Sequence, residues 1–174
     1  MLHKNIEIKK NKIGGIGIFA TDLIRKDEIV WQLSSNDKIF SKKEALSLPD
    51  EERCLVFQKN KKYVLCTDNG QYMNHSCNPN LWFLNDVTLV AKWDINAGEE
   101  ITYDYSTTEI DPVYAEEWEC LCGSKNCRGG ISPVDCLDKD FQELHKGYLP
   151  SYTVEFINKN QQGVSKNEIH PKSS

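Results

Sequence analysis

The sequence predicts a mainly β domain made of several small sheets with a few short helices. Two observations carry that expectation. Short apolar or alternating runs, separated by turn residues, fill the first two thirds of the chain, and segments with helical period are few. There is also no internal repeat, so the strands are expected in an irregular arrangement.

Each element has its own signal. Ile6-Glu7-Ile8-Lys9 alternates, as a half-buried strand does, and Ile16-Gly17-Ile18-Phe19 follows a glycine pair. Glu28 through Leu33 is a short apolar run. Tyr63 through Cys66, Leu81 through Leu84, Thr88 through Ala91 and Glu100 through Tyr103 continue the pattern. Asn85-Asp86 reads as the turn of a hairpin. Ser41 through Leu48 opens with a serine and a glutamate three residues later, a capping box, and stops at Pro49. Asp138 through Lys146 puts Phe141, Leu144 and His145 on one face, with Gly147 as its stop. From Asn158 onward the chain is polar and is expected to lack structure.

Composition narrows the class. A chain of 174 residues suits one domain, with or without a small appendage, and can bury a core without disulfides. No run approaches the roughly 20 apolar residues of a membrane helix, and the first residues lack the apolar core of a secretory signal. The expectation is an intracellular protein, cytoplasmic or nuclear, in a reducing compartment, with no membrane partner. Clustered cysteines then mean metal or catalysis before disulfides. A net charge of −5 argues against direct nucleic-acid binding and suits a basic protein or peptide. Glu109, Asp111, Glu116, Glu117 and Glu119 gather in one stretch. That run reads either as a solvated loop or as an acidic rim for a Lys- or Arg-rich substrate.

Cys120-x-Cys122-x4-Cys127 offers three thiolates on one loop. Zinc takes four ligands in a tetrahedron, so a fourth must come from elsewhere. Sequence distance favours Cys136, whereas Cys77 sits in a turn stiffened by Pro79. Cys54 and Cys66 fall in apolar surroundings and read as buried thiols.

Four stretches, in order, resemble the SET-domain protein-lysine methyltransferases. They are Gly15-Ile16-Gly17-Ile18-Phe19-Ala20, Tyr72 through Asn80 with Asn74-His75-Ser76-Cys77 inside it, Ala97 through Tyr105, and Cys120 through Gly129. The last resembles the family's post-SET zinc module, and the resemblance runs from about Lys12 to Ile131. It implies a SET-domain β-fold over 4–108, a post-SET zinc module over 109–132, a helical extension over 133–157 and an unstructured tail over 158–174. It implies S-adenosylmethionine as cofactor, held by Gly14, Gly15, Ile16 and Gly17, by Asn74 and His75, and by Trp118 and Leu121 over the adenosine. It makes Cys77 the fourth zinc ligand beside Cys120, Cys122 and Cys127. It makes Tyr105 the catalytic tyrosine, and Tyr103 the position whose hydroxyl crowds the amine and limits the product mainly to monomethyl-lysine. Tyr63 is expected near the lysine channel.

The implied reaction is an in-line displacement by a neutral amine on the cofactor's methyl carbon. Deprotonating a lysine near neutral pH costs roughly 4 kcal/mol. Repulsion from a sulfonium 4–5 Å away, at an effective dielectric near 20, is worth roughly 3–4 kcal/mol. On that arithmetic no strong base is required, and water can take the proton. The alternative is a zinc-stabilised peptide-binding module that kept the fold and lost catalysis.

Overall fold

The computed structural model describes residues 1–111 and 118–167. Among these, twelve short strands form five small sheets. Strands β1 (Ile6–Lys10) and β2 (Ile16–Ala20) pair as an antiparallel hairpin. Its turn is held by Asn11, whose Oδ1 accepts the Gly15 N–H at 2.8 Å. Strand β3 (Ile29–Gln32) is followed by β4 (Lys38–Phe40) and two single-turn helices, α1 (Lys42–Leu46) and α2 (Asp50–Arg53). The capping box expected at Ser41 is present: Ser41 accepts the Glu44 N–H, and the Glu44 carboxylate accepts the Ser41 N–H at 2.7 Å.

Strands β5 (Val56–Lys59) and β6 (Lys62–Leu65) form a hairpin, and β4 adds to β6 on its other edge. The two-residue strand β7 (Asn74–His75) precedes a third hairpin, β8 (Leu81–Asn85) and β9 (Thr88–Ala91), turned at Asn85-Asp86 as expected. Strand β9 lies between β8 and β3 and is buried along its whole length. That is why it reads as a continuous apolar run. Strand β10 (Thr102–Tyr103) pairs with β7, and β11 (Trp118–Glu119) with β12 (Gly130–Ile131). The chain ends in α3 (Lys139–Leu144), capped by Asp138, and α4 (Ser151–Asn167).

The main core gathers Ile18, Val30, Leu81, Leu89 and Ile101 from five different stretches. A second cluster, with Ala45, Val56, Tyr63 and Leu65, lies under α1. A third, with Cys136, Phe141 and Ile157, holds the C-terminal helices. Cys136 therefore lies in the C-terminal core, apart from the other clustered cysteines. Cys54 is exposed rather than buried.

The C-terminal segment differs from expectation. Helix α4 continues to Asn167, so the first part of the stretch expected to lack structure is helical. Tyr152, Thr153 and Ile157 are buried, which anchors the helix on its first turns. Residues 168–174 lie outside the described residues, as do Glu116 and Glu117 of the acidic run. No helix among the described residues is long and apolar enough to cross a membrane.

Candidate active site

Strand β7 runs parallel to β10, with Asn74 opposite Thr102 and His75 opposite Tyr103. This pairing joins two stretches that are far apart in sequence. It is short because Asn80 takes over the next rungs. The Asn80 amide donates to the Glu100 carbonyl at 2.8 Å and accepts the Thr102 N–H at 2.9 Å. A side-chain amide offers the same donor and acceptor as a peptide, so it extends the ladder by one step.

Where these strands meet, a cavity of about 1250 Å³ opens. A single small-molecule pocket is typically about 300–1,000 Å³, so there is room for two reactants. Asn74, His75, Tyr103, Tyr105, Trp118 and Leu121 all bound it. The glycine turn behaves differently. Gly14, Gly15, Ile16 and Gly17 flank the cavity, and Asn11, Lys12 and Ile13 are the residues of that turn that bound it. Gly17 has a packing reason to be glycine: a Cβ there would stand 2.4 Å from Glu100 Oε1 and 2.9 Å from Asn74 Nδ2. Tyr63 is not among the bounding residues. It is buried in the second core cluster, and its hydroxyl donates to Asp111 Oδ2 at 2.7 Å.

The polar groups are tightly assigned. Asn74 Nδ2 donates to the Ile16 carbonyl and to Glu100 Oε1, both at 2.8 Å. Both amide protons are thereby used, and Oδ1 is left as an acceptor. The Tyr105 N–H donates to His75 Nδ1 at 3.1 Å. Nδ1 is therefore unprotonated, and the ring proton sits on Nε2, 3.2 Å from the Cys77 sulfur. Burial pushes His75 down to about 4, which keeps the ring neutral. The Tyr105 hydroxyl donates to the Met73 carbonyl at 2.8 Å. Burial raises the phenol well above its ordinary range, so it stays neutral at any working pH.

The sulfurs of Cys77, Cys120 and Cys122 and a ring nitrogen of His75 lie within 4.8 Å of one another. Cys127 packs beside them, with its sulfur 3.5 Å from the Cys120 carbonyl. Zinc–sulfur bonds of about 2.3 Å in a tetrahedron place neighbouring sulfurs about 3.8 Å apart. Cys77 and Cys120 are 3.7 Å apart. Three backbone N–H groups point at sulfurs: Cys77 at Cys122, Arg128 at Cys77 and Gly129 at Cys127, at 3.4–3.5 Å. Such N–H···S contacts favour the thiolate that a metal needs. Gly129 makes one of them from a left-handed backbone, φ 76°. The residues present thus fit a zinc ion. With its proton on Nε2, His75 can orient the Cys77 sulfur by donating to it.

Sequence reasoning missed the charge cluster beneath this site. Asp104 is fully buried and receives both arms of the Arg128 guanidinium, at 2.7 and 2.8 Å. His145 Nε2 stands 3.5 Å from it and His75 Nδ1 3.5 Å. Burial alone would raise the Asp104 carboxyl, but Arg128 reverses this and holds it well below the usual range. Asp104 sits between two tyrosines and Arg128 inside the cysteine loop, and only this sandwiching hints at their pairing.

The comparisons with known proteins agree with this architecture. Human histone-lysine N-methyltransferase SETD1B is 28% identical over 144 residues, which cover 74% of this chain and 7% of that protein. The putative histone-lysine N-methyltransferase 1 of Plasmodium falciparum (isolate 3D7) is 30% identical over 140 residues, covering 72% of this chain and 2% of that protein. The chain thus spans a small part of the length of these curated relatives. Among solved structures, that of KRYPTONITE in complex with mCHG DNA and SAH superposes with a TM-score of 0.56 at 19% identity, over 74% of this chain and 29% of that one. The methyltransferase domain of human histone-lysine N-methyltransferase SETMAR gives 0.56 at 22% identity, over 74% and 58%. These two are likenesses of fold. The SET domain family model matches residues 15–106, which is more than half of the sequence and includes both paired strands at the floor of the cavity, so the chain belongs to the SET-domain family.

Proposed function

We propose that this domain transfers a methyl group from S-adenosylmethionine to the side-chain amine of a lysine in a protein, adding mainly one. The observation that carries the reading is the convergence of Asn74 and His75 with Tyr103 and Tyr105 on one cavity. The donor set suits the cofactor. Asn74 Oδ1 accepts from an amino-acid ammonium, while the half-open ring of Trp118 and the exposed Leu121 offer a flat apolar cover for a heterocycle. Cys77, Cys120, Cys122 and Cys127 hold the zinc, tying the turn after β7 to the loop that carries Trp118 and Leu121.

S-adenosylmethionine, when bound, supplies an electrophilic methyl group on a sulfonium. The protein's part is alignment. With its own proton given to the Met73 carbonyl, the Tyr105 oxygen presents lone pairs to the cavity. It can accept an N–H of the incoming amine and fix the direction of its lone pair. Tyr103 is held edge-on by Phe83 at 6.0 Å and tilted against Tyr105 at 5.0 Å, so its hydroxyl takes up a fixed part of the pocket. A basic peptide is the expected acceptor: Glu119 is exposed and bounds the cavity, and the chain is acidic overall.

The test is incubation of the protein with methyl-labelled S-adenosylmethionine and core histones or lysozyme, followed by mass spectrometry. The expected result is label on lysine, chiefly as one methyl group. The peptide-binding alternative wins if neither acceptor nor the protein itself is labelled and calorimetry finds no cofactor binding.

A further inference from the structure

One acid of the run after Tyr105, Glu109, is not solvated. A single 3-10 turn, capped by Asp104, carries the chain from Tyr105 to Glu109, whose N–H donates to the Tyr105 carbonyl at 2.9 Å. Glu109 is 5% exposed and bounds the same cavity as Tyr103 and Tyr105. Its Oε1 accepts the Gln58 N–H at 3.0 Å and the Thr108 hydroxyl at 3.2 Å. The Gln58 side-chain amide, whose Nε2 has no other partner, also faces the carboxylate, and no ion pair reaches it among the described residues. A buried carboxylate in a cavity, met only by neutral donors, is costly unless a cation comes to meet it.

We propose that Glu109 receives the target amine: its carboxylate pairs with the lysine ammonium entering past Tyr103 and Tyr105, and then takes its proton. The ligand class is a primary alkylammonium. The step balances simply. The N–H bond breaks, an O–H bond forms on Oε2, and the neutral amine keeps its lone pair for attack. The proton returns to water when the carboxyl ionises again after product leaves. The inference rests on the methyl-transfer reading and adds to it a residue where water alone was expected to suffice.

The surroundings allow the exchange. The titratable groups facing Glu109 are Tyr103, Tyr105, Tyr152 and Asp111, and Asp111 is itself paired with Lys42. The three phenols stay neutral. Burial, aided by Asp111, pushes Glu109 up to about 7 against the hydrogen bonds from Gln58 and Thr108. A carboxyl titrating there can both accept and release a proton near neutral pH. A purely structural Glu109 would need only its Oε1 contacts, which glutamine at the same position can also make.

The experiment compares n-butylammonium with 1-butanol as ligands of the wild type and of Glu109→Gln, followed by NMR shifts. At about pH 8 the wild type is expected to prefer the amine by ~10-fold or more, since the acid is ionised and the amine protonated. The preference should vanish at about pH 5.5, where Glu109 is protonated, and should be absent in Glu109→Gln at either pH. Methyl transfer to core histones should fall about 100-fold in that variant, while affinity for S-adenosylhomocysteine stays unchanged. Equal binding of amine and alcohol by the wild type at the higher pH overturns the proposal, and this reading needs no variant to fold. So does full transfer activity in Glu109→Gln. Absence of cofactor binding with amine preference intact would instead remove the methyltransferase reading and leave the amine site standing.

Discussion

Tyr103 shows how a single side chain can set an outcome. Its ring is buried, with Phe83 on one side and Tyr105 on the other, so its hydroxyl cannot swing out of the way. Replacing it with phenylalanine removes one oxygen and the water it can anchor, and leaves the ring packing in place. Tyr103→Phe is therefore expected to shift the product from mono- towards dimethyl-lysine, read by mass spectrometry of the methylated peptide. An unchanged ratio would show that pocket volume is set elsewhere. Tyr63, equally aromatic and equally well placed in sequence, does no such work: its hydroxyl is committed to Asp111. The difference between the two tyrosines is which way a strand turns its face. β-Propensity alone does not tell them apart.

At the scale of elements, the cysteine loop is fastened to the pocket by two devices: the clustered thiols and the Asp104–Arg128 pair. Asp104 directly follows β10 and Arg128 lies in the cysteine loop, so the pair ties the end of the strand to the loop. Removing one partner of a buried pair costs about 3–5 kcal/mol, because the other charge is left uncompensated. For a chain of this length that corresponds to a drop in melting midpoint on the order of 10 °C. Arg128→Ala should show that drop and should lose zinc faster to a chelator, and weakened cofactor binding should follow the metal loss. A variant that melts lower yet holds zinc and cofactor as before would separate the latch from the site. The elements themselves were unevenly legible. Strands with clean alternation or continuous apolar runs, such as β1, β8 and β9, stood out. Strand β5 did not, because its inward position 58 is glutamine, whose Oε1 accepts the Ile110 and Asp111 N–H groups. The first turns of α4 fall within the helical extension expected over 133–157, and its continuation beyond Asn158 was hidden by a polar sequence with no apolar face to mark it. Glu109 was hidden by its acidic neighbours. A run of carboxylates looks solvated, and only the turn after Tyr105 takes this one inward.

Among the described residues there is no single large sheet. Five small ones meet around a cavity, and the residues that meet there include groups a stability optimum would exclude. Glu109 is the clearest case. Its carboxyl ionises in the unfolded chain near the ordinary 4.5 and in the folded one near 7. A carboxyl raised on folding contributes stability that is fully present below about 4.5 and is lost as pH climbs to about 7, after which the loss is constant. The total is up to about 3 kcal/mol, at 1.36 kcal/mol per unit. Asp104 works the other way: its lowered carboxyl contributes stability above the ordinary carboxylate range that is lost only in acid. Between about pH 4.5 and 7 the Glu109 trend therefore stands clear of it. Urea unfolding over this window should find the wild type losing stability relative to Glu109→Gln as pH rises, with the variant the more stable protein at about pH 8 and the less active one. Parallel pH profiles for the two would mean that the Glu109 carboxyl ionises at the same pH folded as unfolded, so that the cavity imposes no cost on its charge.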